Sequence, residues 1–280
     1  GEIVGAGTAG LSALREVRRY TDDFVLVNDG RWGTTCATTG CMPSKALIEA
    51  ANAYHRRHSF DAFGISGAEA LRADIPAVLA HVRRLRDQFS EGPASVRDRL
   101  GDRAISGRAR LAGPGRVDVA GRMVEARAVI LAPGSQPVVP DPWQRFGERI
   151  LTTDSLFEQD NLPGRIAVVG MGFIGVELAQ ALARLRLDVA GFDAVETVAG
   201  IDDPEVLEAL RRGLSSEFAL YLGGAAELEE AGDAIRVSGA GGAFEADAIL
   251  AAMGRRPNVE GLGLDTLGVP LDDRGMPEID

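Results

Sequence analysis

The chain is poor in cysteine, in lysine and in long apolar runs, and each shortage closes off a class of function. Cysteine occurs twice in 280 residues, at Cys36 and Cys41. A secreted disulfide scaffold needs more cysteines in a much shorter chain. Zinc would need further ligands, and His55, His58 and His81 offer no second pair at a recognisable spacing, so no metal site is expected. No stretch approaches about 18 uninterrupted apolar residues, which leaves no candidate for a transmembrane helix. No charged segment followed by an apolar one opens the chain as a secretory signal would; a cytoplasmic protein with no membrane partner is expected. The formal charge is -11, so a nucleic-acid partner would be repelled overall. Lys45 is the only lysine; every other basic residue is arginine. The one compact ammonium lies four residues after Cys41, where a wide planar guanidinium would not substitute for it.

What is present fits an α/β protein: 45% hydrophobic residues, 25% charged residues and 35 glycines, over a length sufficient for two domains. Ile3-Val4, then GAGTAG from Gly5 to Gly10, then Leu11 to Arg19 read as strand, tight turn and helix. Phe24 to Val27 reads as the second parallel strand, and the Gly- and Thr-rich stretch from Asp29 to Gly40 as loop. Helices are expected over Pro43 to His58, with Pro43 in its first turn, and over Ile75 to Phe89. Short strands follow at 104–105, 109–111, 117–119 and 128–131. Ile166 to Val169, GMGFIG from Gly170 to Gly175 and Val176 to Leu187 repeat the opening unit, with Val189 to Phe192 as its second strand. A later strand is expected over 248–252 and a loop over 254–258. One repeat some 165 residues apart is too long for a solenoid and reads as two domains. The boundaries expected are 1–150, 151–266 and a return to the first domain over 267–280. The opening Gly1-Glu2-Ile3-Val4 and the closing strand-like run over 277–280 both read as cut from something longer.

Each GxGxxG has a mechanical rationale. The first glycine permits the turn, the second lets backbone approach a pyrophosphate, and the third allows close helix–strand packing, with the helix N-terminus supplying partial positive charge. In both copies the motif follows a strand and precedes a helix, which is the context that gives it meaning. Eighteen residues after Gly175, Asp193 stands where a carboxylate would accept hydrogen bonds from a ribose and repel a 2′-phosphate, favouring NAD over NADP. At the matching position of the first copy stands Asn28, whose amide can bond a ribose hydroxyl without charge.

The segment Thr35-Cys36-Ala37-Thr38-Thr39-Gly40-Cys41-Met42-Pro43-Ser44-Lys45 carries the second signal. In a continuous helix, cysteines at this spacing would have Cα atoms about 8.7 Å apart, beyond the roughly 7 Å a disulfide tolerates. The segment is therefore expected to be bent or only partly helical if the pair bonds; Thr38, Thr39 and Gly40 permit that. A disulfide across so short a loop stabilises little and suits a reducible bond. A helix starting near Pro43 would direct its positive end at the thiols and favour a thiolate.

This segment resembles the C-x4-C-x-P-S-K redox motif of the class I pyridine nucleotide-disulfide oxidoreductases, and most of all that of dihydrolipoamide dehydrogenases. GAGTAG resembles that family's FAD turn. LAPGS, from Leu131 to Ser135, resembles its A-T-G-S loop with Pro133 in place of Thr. GMGFIGVE, from Gly170 to Glu177, resembles its NAD turn, and MGRRPN, from Met253 to Asn258, its G-R-x-P-N loop. The resemblance covers essentially the whole chain. It implies an α/β fold of two Rossmann-like, three-layer FAD- and NAD-binding domains, the NAD domain inserted in the FAD domain. It implies FAD and NAD as cofactors, a dithiol or disulfide substrate such as the lipoyl domain of a 2-oxo acid dehydrogenase complex, and a homodimer.

By motif position the resemblance makes Cys36 the interchange thiol and Cys41 the thiol nearest the flavin. Lys45 and Glu177 correspond to the ion pair beside the flavin, an electrostatic role, and Phe173 to the residue that covers the flavin until NAD displaces it. The cofactor contacts it implies are Gly5, Gly7, Gly10, Asn28, Thr35, Lys45, Ala109, Gly134 and Ser135 on one side. On the other they are Gly170, Gly172, Phe173, Ile174, Gly175, Glu177, Asp193, Gly254 and Arg255. Two departures stand out. Asn28 replaces the family's ribose-binding Glu, and the chain ends before the family's second flavin motif and its interface domain with the His-Glu base, so this polypeptide is not expected to turn over by itself. The alternatives are mercuric or another disulfide reductase, glutathione reductase being disfavoured by Asp193 and Gly175, and a non-catalytic flavin-binding module.

Overall fold

Strands buried on both faces read as continuous apolar runs, and here they assemble into parallel sheets. The computed structural model describes residues 1–272, 276 and 277. The closing run expected over 277–280 falls outside the described residues from 278 on, and the expected return segment 267–280 is outside them at 273–275 and 278–280. In chain order the elements are β1 (Glu2–Val4), α1 (Thr8–Val17), β2 (Val25–Asn28), α2 (Thr35–Thr38), α3 (Cys41–His55), α4 (Ile75–Ala94) and α5 (Val96–Leu100). Then come β3 (Ala104–Ser106), β4 (Ala109–Leu111), β5 (Arg116–Val119), β6 (Arg122–Glu125), β7 (Val129–Leu131), β8 (Ser135–Pro137), β9 (Ile150–Leu151) and α6 (Thr153–Leu156). The chain continues with β10 (Arg165–Val169), α7 (Phe173–Arg184), β11 (Asp188–Asp193), α8 (Pro204–Ser215) and β12 (Ala219–Leu222). It closes with β13 (Glu227–Ala231), β14 (Ala234–Gly239), β15 (Gly242–Ala246), β16 (Ala248–Ala251) and β17 (Arg255–Pro257).

The chain forms two compact units, each discontinuous in sequence. One holds Gly1–Thr38, Asp87–Gln136 and the described residues from Arg255 on; the other holds Thr39–Arg86 and Pro137–Gly254. In the first unit a parallel sheet runs β3-β2-β1-β7, and β4-β5-β6 form an antiparallel meander. Side chains alternate along its strands. Ile3 and Leu26 pack with Leu14, Phe24 and Trp32 on one face. Val4 and Val27 pack with Leu111, Val117 and Val119 of the meander on the other.

The second unit repeats the plan. Its sheet runs β12-β11-β10-β16-β9, all parallel, beside a second meander β13-β14-β15. Ile166 and Val168 face Leu178 and Leu182 of α7, while Ala167 and Val169 face Ile235, Val237 and Ala246 of the meander. The internal repeat is thus larger than the glycine motifs. Counted from the strand that enters each glycine turn, the third, second, first and last strands stand in that order in each unit, with a meander inserted before the last; the second unit adds β9 at its edge beside β16.

Several boundaries move from those expected. α3 starts at Cys41, before Pro43, because Pro is tolerated anywhere in a first turn, where its missing N–H costs nothing. α4 continues to Ala94. The expected loop over 254–258 contains a short strand, β17. Its glycine and proline suggest a loop, but long-range bonds from Arg255 to Ser135 and from Asn258 to Gly134 hold it extended. The second meander was not legible at all, since its alternation is interrupted by Glu and Ala. No helix among the described residues is long and apolar enough to cross a membrane.

Candidate functional site

Two glycine turns, one per unit, have the same geometry. Gly5 and Gly170 have φ of 103° and 100°, a region that disfavours residues with a Cβ. A Cβ on Gly5 would lie 2.0 Å from the Ala132 carbonyl oxygen, and one on Gly170 would lie 2.4 Å from that of Ala252. A Cβ on Gly10 or Gly175 would lie 1.8 Å from the carbonyl oxygen of Gly5 or Gly170, so helix and turn touch backbone to backbone. The middle glycines differ: a Cβ on Gly7 or Gly172 meets nothing within 4 Å. Packing in the protein therefore requires the outer glycines, while the middle ones border open space at the starts of α1 and α7. An anion placed there would meet unpaired amides and the positive ends of the helix dipoles, so both turns fit a dinucleotide pyrophosphate.

The strand-end residues lock these turns. The Ala6 amide donates to Asn28 Oδ1 at 2.9 Å. The Met171 amide donates to Asp193 Oδ2 at 2.5 Å and the Val195 amide to Asp193 Oδ1 at 3.1 Å. Both predicted ribose ligands thus also brace the turn; a carboxylate has lone pairs left for a ligand after two such bonds. In the first unit a cavity of about 580 Å³ opens at the ends of β1 and β2, lined by Gly5, Asn28, Arg108, Ala109, Pro133 and Asn258 among others. This is the crevice at strand carboxyl ends where doubly wound sheets bind ligands. The predicted residues Gly5, Asn28 and Ala109 meet there. Arg108, Pro133 and Asn258 are additions; the G-R-x-P-N segment was the only signal for the last of them. Asn258 Nδ2 donates to the Pro133 carbonyl at 3.0 Å and its amide to the Gly134 carbonyl at 3.0 Å. Arg255 reaches Ser135 through both Oγ and the carbonyl.

The cysteine segment is broken, not continuous. Thr35 and Cys36 lie in the single turn α2, which the Thr34 hydroxyl caps by accepting the Ala37 amide at 3.1 Å. Gly40, at φ -112° and ψ -112°, interrupts the helical path, and Cys41 begins α3. Both cysteines are exposed. Cys41 occupies the first position of a 15-residue helix, the end at which the helix dipole is positive.

In the second unit α3 packs along α7, and this brings Lys45 and Glu177 together. Lys45 Nζ lies 2.7 and 2.6 Å from the two carboxylate oxygens, with both side chains about half exposed. Phe173, the first residue of α7, is 72% exposed, its ring edge beside Gly200; Ile174 next to it is also exposed. An apolar ring left in solvent at the mouth of a glycine turn is available to a planar ligand. Gly254 adopts φ 92° just after β16. Among the described residues no cluster of His, Cys, Asp and Glu could hold a metal ion.

The profile of the pyridine nucleotide-disulphide oxidoreductase family matches residues 2–280. The chain is 34% identical over 294 residues to a dihydrolipoyl dehydrogenase of Pseudomonas aeruginosa, covering 98% of this chain and 61% of that protein. To a glutathione reductase of Burkholderia cepacia it is 32% identical over 286 residues, 99% of this chain and 62% of that one. A dihydrolipoyl dehydrogenase of Chlamydia pneumoniae is 29% identical over 284 residues, again 99% and 61%. The HOCl-induced flavoprotein disulfide reductase RclA from Escherichia coli shares the fold, with a TM-score of 0.84 at 20% identity over 100% of this chain and 62% of that one. The chain thus spans about three fifths of the length of these relatives.

Proposed function

The chain belongs to the pyridine nucleotide-disulphide oxidoreductase family, and on that footing we propose that it forms the nucleotide-binding part of a flavin-dependent disulfide oxidoreductase of the dihydrolipoamide dehydrogenase type. The observation that carries this reading is the contact between Lys45, the only lysine, and Glu177 beside the second glycine turn. In the proposed arrangement residues 1–150, with a return over 267–280, hold FAD through Gly5, Gly7, Gly10, Asn28, Ala109, Gly134 and Ser135. Residues 151–266 form an inserted domain holding NAD through Gly170, Gly172, Gly175 and Asp193. Bound flavin would relay an electron pair between nicotinamide and the cysteine sulfurs.

The chain's own residues supply the rest. The Cys36 thiolate attacks a substrate disulfide, forming a mixed disulfide and releasing one substrate thiol; in the opposite direction a substrate thiolate attacks Cys36 of the Cys36–Cys41 disulfide and Cys41 leaves as the thiolate. Cys41 stands at the start of α3, at the positive end of that helix, as the sulfur next to the flavin. Lys45 presents a positive charge whose position Glu177 fixes, so it stabilises negative charge developing beside it without reorganising. Phe173 shields the site until the nicotinamide displaces it. A lipoyl-type dithiol partner, a homodimer and a cytoplasmic location belong to the same proposal.

The test is reconstitution of the purified protein with FAD followed by titration with NADH. A long-wavelength thiolate–flavin absorption band should appear in the wild type and in Cys36→Ser, and be absent from Cys41→Ser. A protein that retains no flavin, or a Cys41→Ser variant that keeps the band, would overturn the reading. Flavin retention without any band would instead favour a binding module with no redox role for the cysteines.

A further inference from the structure

Lys45 and Asn52 are seven residues apart on α3, and Glu177 and Arg184 are seven apart on α7, so each pair spans about two helical turns on one face. The structure joins them in register. Lys45 meets Glu177 at 2.6 Å, and Asn52 Oδ1 accepts from Arg184 Nη1 at 2.6 Å. The two contacts are the polar ends of one seam, with Leu47 and Ala51 of α3 and Leu178, Ala181 and Leu182 of α7 buried in the same core cluster.

The two ends differ in rigidity. Lys45 and Glu177 are about half exposed, and an ion pair so placed holds its geometry weakly. Arg184 is fixed on its other side. Its Nε and Nη2 donate to the two oxygens of Glu217 at 2.7 and 2.8 Å, and Gln180 Nε2 donates to Glu217 at 2.7 Å. Arg184 and Glu217 are 22% and 17% exposed, so this fork-to-fork pair is partly desolvated, the arrangement in which Arg–carboxylate geometry is most constrained. One nitrogen remains for α3, and it goes to Asn52. A rotation of α3, or a slide along α7, would break that bond and carry Lys45 away from Glu177.

We propose that Arg184, anchored by Glu217 and bonded to Asn52, is a positioning residue that sets the register of α3 against α7 and so keeps the Lys45 ammonium on Glu177. The bearing of this on turnover rests on the reading of that pair given above; the positioning itself does not.

Because Lys45 is the only lysine, its ε-amine reports on its own environment. The experiment measures its acetylation rate by trace labelling of the folded protein and mass spectrometry of the peptide that carries it. Glu177→Gln sets the unpaired rate, on the order of two- to fivefold above wild type for a half-exposed pair. Asn52→Leu and Arg184→Met should each raise the rate toward that value, while Asn52→Asp, which keeps an acceptor for Arg184, should stay at the wild-type rate. With Glu177 already replaced, Asn52→Leu should add nothing. Should Arg184→Met fail to fold, Asn52→Leu decides alone. A wild-type rate in Asn52→Leu, or an effect that persists in full in the Glu177→Gln background, overturns the proposal. The measurement needs no flavin, so a failed NADH titration and a failed positioning role are separate results.

Discussion

Asp193 ties the second glycine turn to the loop after β11, accepting the Met171 amide of the turn at 2.5 Å on one carboxylate oxygen and the Val195 amide of the loop at 3.1 Å on the other. Asn28 does the first half of this in the other unit through the Ala6 amide at 2.9 Å. The end of the second strand braces the turn, and in the proposed function it also faces a nucleotide, two duties that substitutions can separate. Asp193→Ala strands two amides and should cost about 1–3 kcal/mol of stability, read as a lower denaturation midpoint. Asp193→Asn keeps an acceptor but removes the charge. Its NH2 cannot accept the second backbone N–H, so it should lose part of what Asp193→Ala loses in stability, and it should narrow the preference for NADH over NADPH in calorimetric titrations. An Asp193→Asn protein with the wild-type preference would show that the carboxylate serves the turn alone.

The glycines divide by the same logic. Gly175→Ala would push a Cβ to 1.8 Å from the Gly170 carbonyl oxygen, and something must move. A loss of about 2 kcal/mol or more is expected, as for other backbone clashes in packed cores. Gly172→Ala meets nothing within 4 Å and should melt within a degree or so of wild type, yet bind NADH much more weakly because the methyl occupies the anion's approach. If Gly172→Ala binds NADH normally, the open space beside it is not the pyrophosphate site.

Glu2 gives the fold a pH dependence. Its side chain on β1 is 1% exposed, neither carboxylate oxygen has a hydrogen-bond partner, and burial pushes its pKa up to about 7. Unfolded, the same group titrates near 4.5. Between these values the native state binds the extra proton, so stability falls as pH rises from about 4.5 to 7 and levels off above. Glu2→Gln removes the cost of ionising the buried acid. The variant should exceed wild type in denaturation midpoint at pH 8, by at most on the order of 3 kcal/mol, and the two should converge below about pH 5. A gap independent of pH would mean that Glu2 reaches solvent.

The sequence by itself determined what is local. Both strand–turn–helix units, the α/β class, the places of Asn28 and Asp193 and the break between Cys36 and Cys41 follow from residues within about twenty positions of one another, where glycine sterics and helix propensity act directly. Tertiary structure decided the rest. Lys45 and Glu177 are 132 residues apart, and neither helix's own pattern specifies which turn of the other it meets; the register comes from apolar side chains packed along the seam and from the Arg184–Asn52 bond. The cover of the second sheet by β13-β14-β15, and the isolation of Glu2, likewise depend on which face of a strand ends up against another element. Packing energies between segments far apart in the chain choose that, and no short stretch of sequence contains them.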